Sequence, residues 1–294
     1  MAIKIGFIGF GEVGTVFSKA MHGRGAEIYV YDLLLAENDD YAKTLKRSGI
    51  DWIQICSLDG LIKSSDYILS TVTTQVAKEV ALVCAKKLSE NKTFIDLNST
   101  SPSVKVEIND IIKASGADFI EGSILGAVGA TGAQTKILTA GQKGREIAQI
   151  LNSVGLHAVF YSNEIGKASM FKMLRGIFSK GLENIIIELL IAGKRAGIEK
   201  DLWEDITDFM SKKPFDKIAS NWVQTHAFAH ERRYHEMIQV VETMREIGID
   251  PIMTAATEAF FKRSLTFGFK EEFPEKPGSF EQVVEFMEKK LQNH

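Results

Sequence analysis

Ile3-Lys4-Ile5-Gly6-Phe7-Ile8-Gly9-Phe10-Gly11-Glu12-Val13-Gly14 decides the fold. A short apolar run enters a glycine turn, and Val13–His22 continues with a helical pattern. Strand, G-x-G-x-x-G and helix in that order predict the first βα turn of a dinucleotide-binding half. Gly9 permits a tight turn. Gly11 lets the backbone approach a pyrophosphate with no Cβ in the way, and Gly14 lets the helix pack closely on the strand. Phe10, Glu12 and Val13 fill the same turn, and the amides that open the helix face the phosphates. The opening residues therefore read as a strand running into this loop and not as a secretory leader.

Working outward, β-rich runs alternate with helical ones. Strands are expected at Ile3–Ile8, Glu27–Tyr31, Tyr67–Ser70, Thr93–Leu97 and Asp118–Gly122, with further ones at Ile137–Thr139 and His157–Tyr161. Helices are expected at Val13–His22, Ala42–Arg47, Val76–Leu88, Ser103–Ala114 and Gly141–Val154. Such alternation predicts α/β architecture, a Rossmann doubly wound parallel sheet. After Ser162 the texture is helical: Glu164–Ala196 ending at Gly197, then Leu202–Ser211, Thr225–Ile247, Ile252–Phe267 and a helix opened by a capping box at Ser279–Gln282. The expected division is a dinucleotide-binding domain at 1–162 and an all-α substrate and dimerisation domain at 163–294.

Asp32 ends the second strand, where a carboxylate can hydrogen-bond both ribose hydroxyls and repel a 2′-phosphate. Leu33, Leu34 and Leu35 follow it, with no arginine alongside, so NAD is expected over NADP; Lys43, Lys46 and Arg47 are the cations that could fold back toward the ribose. Thr71, Val72 and Thr73 follow one strand, and Asn98 and Ser99 follow the next. Ligands of open parallel sheets lie beyond such strand ends. The small hydroxyl residues there either approach the cofactor or cap the next helices, as Ser101 or Ser103 can.

The chain has 294 residues, a formal net charge of −3 and 45% hydrophobic residues. That suits two modest domains with real cores and lacks the basic excess of proteins that bind nucleic acid or anionic membranes. Cys56 and Cys84 have no metal-type spacing and read as reduced thiols of a cytoplasmic protein. No apolar run reaches the length of a membrane span.

The glycine turn, together with Lys172 on a long helix, resembles the β-hydroxyacid dehydrogenases, the family of 3-hydroxyisobutyrate and 6-phosphogluconate dehydrogenases. Lys172-Met173-Leu174-Arg175-Gly176-Ile177-Phe178-Ser179-Lys180-Gly181, with the later Arg232-Arg233 and Glu236-Met237, is similar to a phosphogluconate-dehydrogenase-like branch that carries a C-terminal domain of unknown function. The resemblance implies a Rossmann domain followed by a helical one, a homodimer formed through the latter, and Lys172 as the catalytic lysine. Within the matching Gly166–Gly176 segment, Ala168 replaces the second glycine, and Arg175 and Gly176 stand where the family has a polar pair including asparagine. In the loop that the family uses for a substrate carboxylate, Leu125 stands in place of serine, with Ser123 and Gly126 nearby.

The residues support a similar reading. Ser169, Lys172, Arg175 and Gly176 are three or four apart and share one helix face. A lysine beside a nicotinamide cation is suited to exchanging the proton of a substrate alcohol. Arg175 offers a two-pronged clamp for an anion. The alternative is a solvated basic stripe of Lys167, Lys172, Arg175 and Lys180. His226, His230, Arg232 and Arg233 read either as a charged surface helix or as a substrate or dimer contact. The resulting expectation is an NAD-dependent dehydrogenase of a small anionic hydroxy acid, with Ser99, Ser123, Gly126 and Arg175 at the substrate. Its rivals are an imine reductase on the same scaffold and a non-catalytic NAD-binding sensor.

Overall fold

The computed structural model describes residues 2–37 and 49–292. The helix expected at Ala42–Arg47, with Lys43, Lys46 and Arg47, lies outside them. The chain forms two compact units, Met1–Ile177 and Phe178–His294.

In the first unit, among the described residues, eight strands form one sheet: β1 (Lys4–Ile8), β2 (Glu27–Tyr31), β3 (Ile53–Ile55), β4 (Tyr67–Ser70), β5 (Thr93–Asp96), β6 (Asp118–Ile124), β7 (Lys136–Ala140) and β8 (His157–Ser162). Their order is β3-β2-β1-β4-β5-β6-β7-β8. All neighbours are parallel except β6 and β7. This is the doubly wound sheet expected from the sequence. β5 is buried along its whole length and β1 from Ile5 onward; β1 accordingly reads as an apolar run, while β5 buries Thr93 and Asp96 beside Phe94 and Ile95. Successive side chains feed opposite faces. Phe7 joins Phe17, Val30 and Ile120 in one core, and Ile8 joins Leu61, Ile68 and Phe94 in the other.

The strand order reverses between β1 and β4, so the crevice beyond their carboxyl ends is the switch point where such sheets bind ligands. β3 was not expected. It is a three-residue edge strand with two exposed residues, too short to show a period. β7 runs antiparallel because the link from β6 holds only a short helix, Val128–Thr131, and one 3-10 turn.

The helix Lys167–Ala196 begins in the first unit and continues past Ile177. It starts later than Glu164 because Gly166 has φ +94°. Gly197, at φ +77°, ends it as expected, with the Ile198 amide donating to the Gly193 carbonyl at 2.9 Å. The second unit adds Glu199–Ser211, Phe215–Glu246, Ile252–Ser264, Phe269–Glu272 and Phe280–Gln292. The helix expected at Thr225 opens instead at Phe215, directly after Pro214. The last helix opens at Phe280, directly after Ser279, and Gln282 Oε1 accepts from the Gly278 amide at 2.8 Å, one residue before the amide that the expected capping box would use. This unit's core gathers Ala227, Phe267, Phe269, Val283 and Phe286. No helix among the described residues is long and apolar enough to cross a membrane.

Candidate active site

The glycine turn hangs between β1, β2 and β4. The Gly9 amide donates to the Tyr31 carbonyl at 2.9 Å, and Thr71 Oγ1 donates to the Gly9 carbonyl at 2.7 Å. Gly9 has φ +86°, and a Cβ there would stand 2.7 Å from the Thr71 carbonyl oxygen, so only glycine fits. At Gly11 a Cβ would meet nothing within 4 Å, which leaves open space over the backbone. Gly11 also caps the helix Glu12–His22 without a side-chain bond, so no side chain competes with an anion for the first-turn amides. Gly14 packs against the Gly9 carbonyl.

Asp32 is held from two sides. Its Oδ2 accepts from the Phe10 amide at 2.7 Å and its Oδ1 from the Leu34 amide at 2.8 Å. Each oxygen keeps a lone pair for a further donor. Gly9, Phe10, Gly11, Asp32, Thr71 and Thr73 border one cleft of about 620 Å³, walled on another side by Leu58, Val76, Val80 and Val83. Open space at Gly11, a fixed carboxylate and an apolar slot fit the pyrophosphate, ribose and adenine of a dinucleotide.

A second cleft, of about 400 Å³, continues over the strand ends. Glu12, Val13, Thr71, Val72, Thr73, Asn98, Ser99, Gly126 and Lys172 border it. Lys172 reaches it from the long helix, and its Nζ donates to Ser99 Oγ at 2.5 Å. Asn98 is buried; its Nδ2 donates to Ser70 Oγ at 2.9 Å, while its Oδ1 is buried with no hydrogen-bond partner. The structure thus brings together the residues expected after β4 and β5 with the expected lysine.

Two expected substrate residues lie elsewhere. Ser123 is buried within β6, where it pairs with Leu138, and does not border the cleft. Arg175 is exposed on the long helix one turn beyond Lys172 and is likewise outside the cleft lining. Leu125, in the position of the family's serine, packs with Leu138, Ala140 and Ala168. Ala168 is itself a departure from the family pattern, so two of the departures belong to one packing cluster.

In the second unit the basic residues have internal partners. His226 Nε2 bonds Ser264 Oγ at 2.9 Å, His230 Nδ1 bonds the His226 carbonyl at 3.0 Å, Arg233 donates to Thr225 Oγ1 at 2.8 Å, and Arg232 pairs with Glu236. Burial, followed by the charges of His230 and Arg233, pushes the His226 imidazole down to about 4.

Two residues at the site, Glu121 and Lys105, belong to no motif in the sequence. Both are fully buried. Glu121 accepts from the Gly166 and Ser169 amides at the start of the long helix. Lys105 donates to the Asp96 and Asn98 carbonyls. A charged residue inside an apolar stretch was the signal available.

Residues 4–162 match the family described as the NAD binding domain of 6-phosphogluconate dehydrogenase. That match spans more than half of the chain, which belongs to this family. Residues 194–264 match a domain of unknown function, DUF1932. Glyoxylate/succinic semialdehyde reductase 1 of Arabidopsis thaliana is 23% identical over 281 residues, covering 90% of this chain and 94% of the plant protein. A solved conserved protein described as structurally similar to 3-hydroxyacid dehydrogenases is 27% identical at a TM-score of 0.61, over 92% of this chain and 97% of its own. An imine reductase variant from Myxococcus stipitatus, solved with NAD+, is 17% identical at a TM-score of 0.77, over 98% of this chain and 100% of its own, a likeness of fold. The resemblance drawn from the glycine turn and the lysine helix therefore holds at the level of family.

Proposed function

We propose that the chain is an NAD-dependent oxidoreductase acting on a small hydroxy acid, or on the corresponding carbonyl compound, with Lys172 as general acid and base. The observation that carries this reading is the Lys172 ammonium at Ser99, in a cleft that shares Thr71, Val72 and Thr73 with the dinucleotide crevice. Gly9, Phe10, Gly11 and Asp32 would hold the dinucleotide, which when bound would supply hydride transfer at its nicotinamide. Lys172 in its neutral amine form takes the hydroxyl proton as the alcohol is oxidised, becoming the ammonium, and the ammonium gives the proton back when the carbonyl is reduced. Ser99 holds the ammonium toward the cleft. Asp32 favours NAD, because its carboxylate suits ribose hydroxyls and repels a 2′-phosphate.

The test is a screen of hydroxy acids and their semialdehydes with NAD and NADP in parallel, followed by Lys172→Ala. That variant should lose about 100-fold or more in turnover, with NAD affinity near native by calorimetry. Native turnover in the variant, or tighter binding of NADP than NAD to the unaltered chain, would refute the respective assignment.

Arg175, exposed one turn beyond Lys172 and outside the cleft lining, is the proposed holder of an anionic substrate group that projects out of the cleft, by a fork that lysine cannot copy. Arg175→Lys should raise KM and leave NAD binding alone; an unchanged KM removes the role. A homodimer through the helical unit is also proposed. Along the part of the long helix that belongs to this unit, Phe178 is 53% exposed and Ile185, Ile187 and Ile191 are exposed too. A chain that leaves so much apolar surface bare is expected to cover it with a partner, and a second copy brings the same surface. Sedimentation as a monomer at micromolar concentration would exclude that dimer.

A further inference from the structure

Two fully buried charged groups stand behind the Lys172–Ser99 pair, one behind each partner. Behind Lys172 is Glu121 of β6. Its Oε2 accepts from the Gly166 amide at 2.6 Å and its Oε1 from the Ser169 amide, while Ser169 Oγ donates to the Gly166 carbonyl at 3.0 Å. These are the opening groups of the long helix, and Lys172 lies one turn past Ser169. The carboxylate sits where the positive end of the helix dipole favours it. Behind Ser99 is Lys105. Its Nζ donates to the Asp96 carbonyl at 3.0 Å and the Asn98 carbonyl at 2.8 Å, and lies 3.1 Å from Asp96 Oδ2. Asp96 Oδ1 in turn accepts from the Asn98 amide at 3.0 Å.

The two devices meet in the sheet. Asp96 and Glu121 are register partners on the parallel strands β5 and β6, so their backbones are roughly 4.8 Å apart. Lys105 compensates one carboxylate, and the helix start compensates the other. Neither Glu121 nor Lys105 borders the cleft. Groups this costly to desolvate are poor means of general stabilisation, but their hydrogen bonds are directional, which apolar packing is not.

We propose that Glu121 and Lys105 are positioning residues. Glu121 fixes the helix that carries Lys172, Lys105 fixes the loop that carries Ser99, and together they set where the ammonium stands in the cleft. This rests on the role of Lys172 in turnover.

The test uses Glu121→Gln, Glu121→Asp and Lys105→Met in the full chain, with amide hydrogen exchange, kcat, KM and the pH–rate profile as readouts. In Glu121→Gln one accepting oxygen becomes an amino group facing an amide donor, so one of the two bonds is lost. The amides of residues 166–170 should exchange faster. Displacing a catalytic group by a fraction of an ångström to 1 Å should lower kcat about 10- to 100-fold, with NAD affinity held within about threefold. The pH–rate profile should shift as Lys172 leaves Ser99. Glu121→Asp keeps the charge and should recover part of kcat. Lys105→Met should lower kcat from the Ser99 side.

Faster exchange with native kcat and pH profile would reduce Glu121 to a helix cap, and native exchange would overturn the brace itself. If Glu121→Gln does not fold, Glu121→Asp is read by the same criteria. Native turnover in Lys172→Ala would instead remove the catalytic reading, while the exchange result would still decide the brace.

Discussion

Each unit holds a helix start on a carboxylate, and the two do so in different surroundings. In the first, Glu121 is fully buried and both of its oxygens are taken by backbone amides. In the second, Glu188 is only half-buried; it accepts from the Met253 and Thr254 amides, each at 2.9 Å, and from Thr254 Oγ1 at 2.6 Å. Burial pushes the Glu188 carboxyl up, but the bonds from Thr254 and from the backbone outweigh it and hold it below its ordinary value. Water can replace a partner lost at Glu188 and cannot at Glu121. The cores differ in the same sense. The sheet of the first unit is lined on both faces by large buried side chains. In the second, the helix Glu199–Ser211 buries no residue at all. One unit is organised around groups with no access to solvent, and the other around helices that keep much of their surface exposed.

The sharpest way to break this contrast is to remove both carboxylates. Glu121→Ala leaves two buried amides without acceptors beside the uncovered start of a helix. Leaving a buried donor without its acceptor typically costs about 1–3 kcal/mol for each donor. Urea denaturation should show a loss of that order for Glu121→Ala and clearly less for Glu188→Ala. Equal losses would mean that burial does not separate the two sites.

The contrast also explains what could be read from the residues. β1, β4 and β5 are legible because each carries adjacent buried apolar residues, as a strand covered on both faces requires, and β3 is not because it has only three residues at an edge. The glycine turn and Asp32 are legible because their chemistry is local in sequence. Leu125 looked like a missing serine; that it packs against Ala168 depends on the meeting of β6, β7 and the long helix, which no local pattern encodes. Ser123 was expected at the substrate from proximity in sequence, but the pairing of β6 with β7 buries it. Glu121 was illegible for a similar reason, since the amides it holds lie 45 and 48 residues away.

A smaller effect should come from His226 in the second unit. Its imidazole stands among Phe260, Phe261 and Phe269, and burial, ahead of the charges of His230 and Arg233, lowers it from 6.5 to about 4. The folded state therefore keeps His226 neutral where the unfolded state would bind a proton. Stability is full above about pH 6.5 and falls as the pH drops toward 4. Between pH 7 and 5 this should amount to on the order of 1–2 kcal/mol after allowing for solvent screening. His226→Phe should flatten that part of the Tm profile. The same slope in native chain and variant would place the titration elsewhere.

The smallest effect expected is that of Glu188→Gln, and its sign in pH is opposite to that of a raised group. The folded carboxyl lies below its ordinary 4.5, so its contribution is fully present above that value and is lost as the pH falls through the lowered one. Glutamine keeps one accepting oxygen for the Met253 amide, Thr254 amide or Thr254 hydroxyl and offers an amino group where the other acceptor stood. Loss of an acceptor at a helix start costs about 0.5–2 kcal/mol, and the exposure of Glu188 puts the expectation near the lower end. The difference between native chain and variant should therefore be about 0.5–1 kcal/mol at neutral pH and should close on acidification, once the native carboxyl is itself protonated. A difference that persists unchanged at low pH would show that the shape of the side chain, and not its charge, holds the helix Ile252–Ser264. A difference as large as that of Glu121→Ala would show that the second unit is as intolerant of a stranded amide as the first.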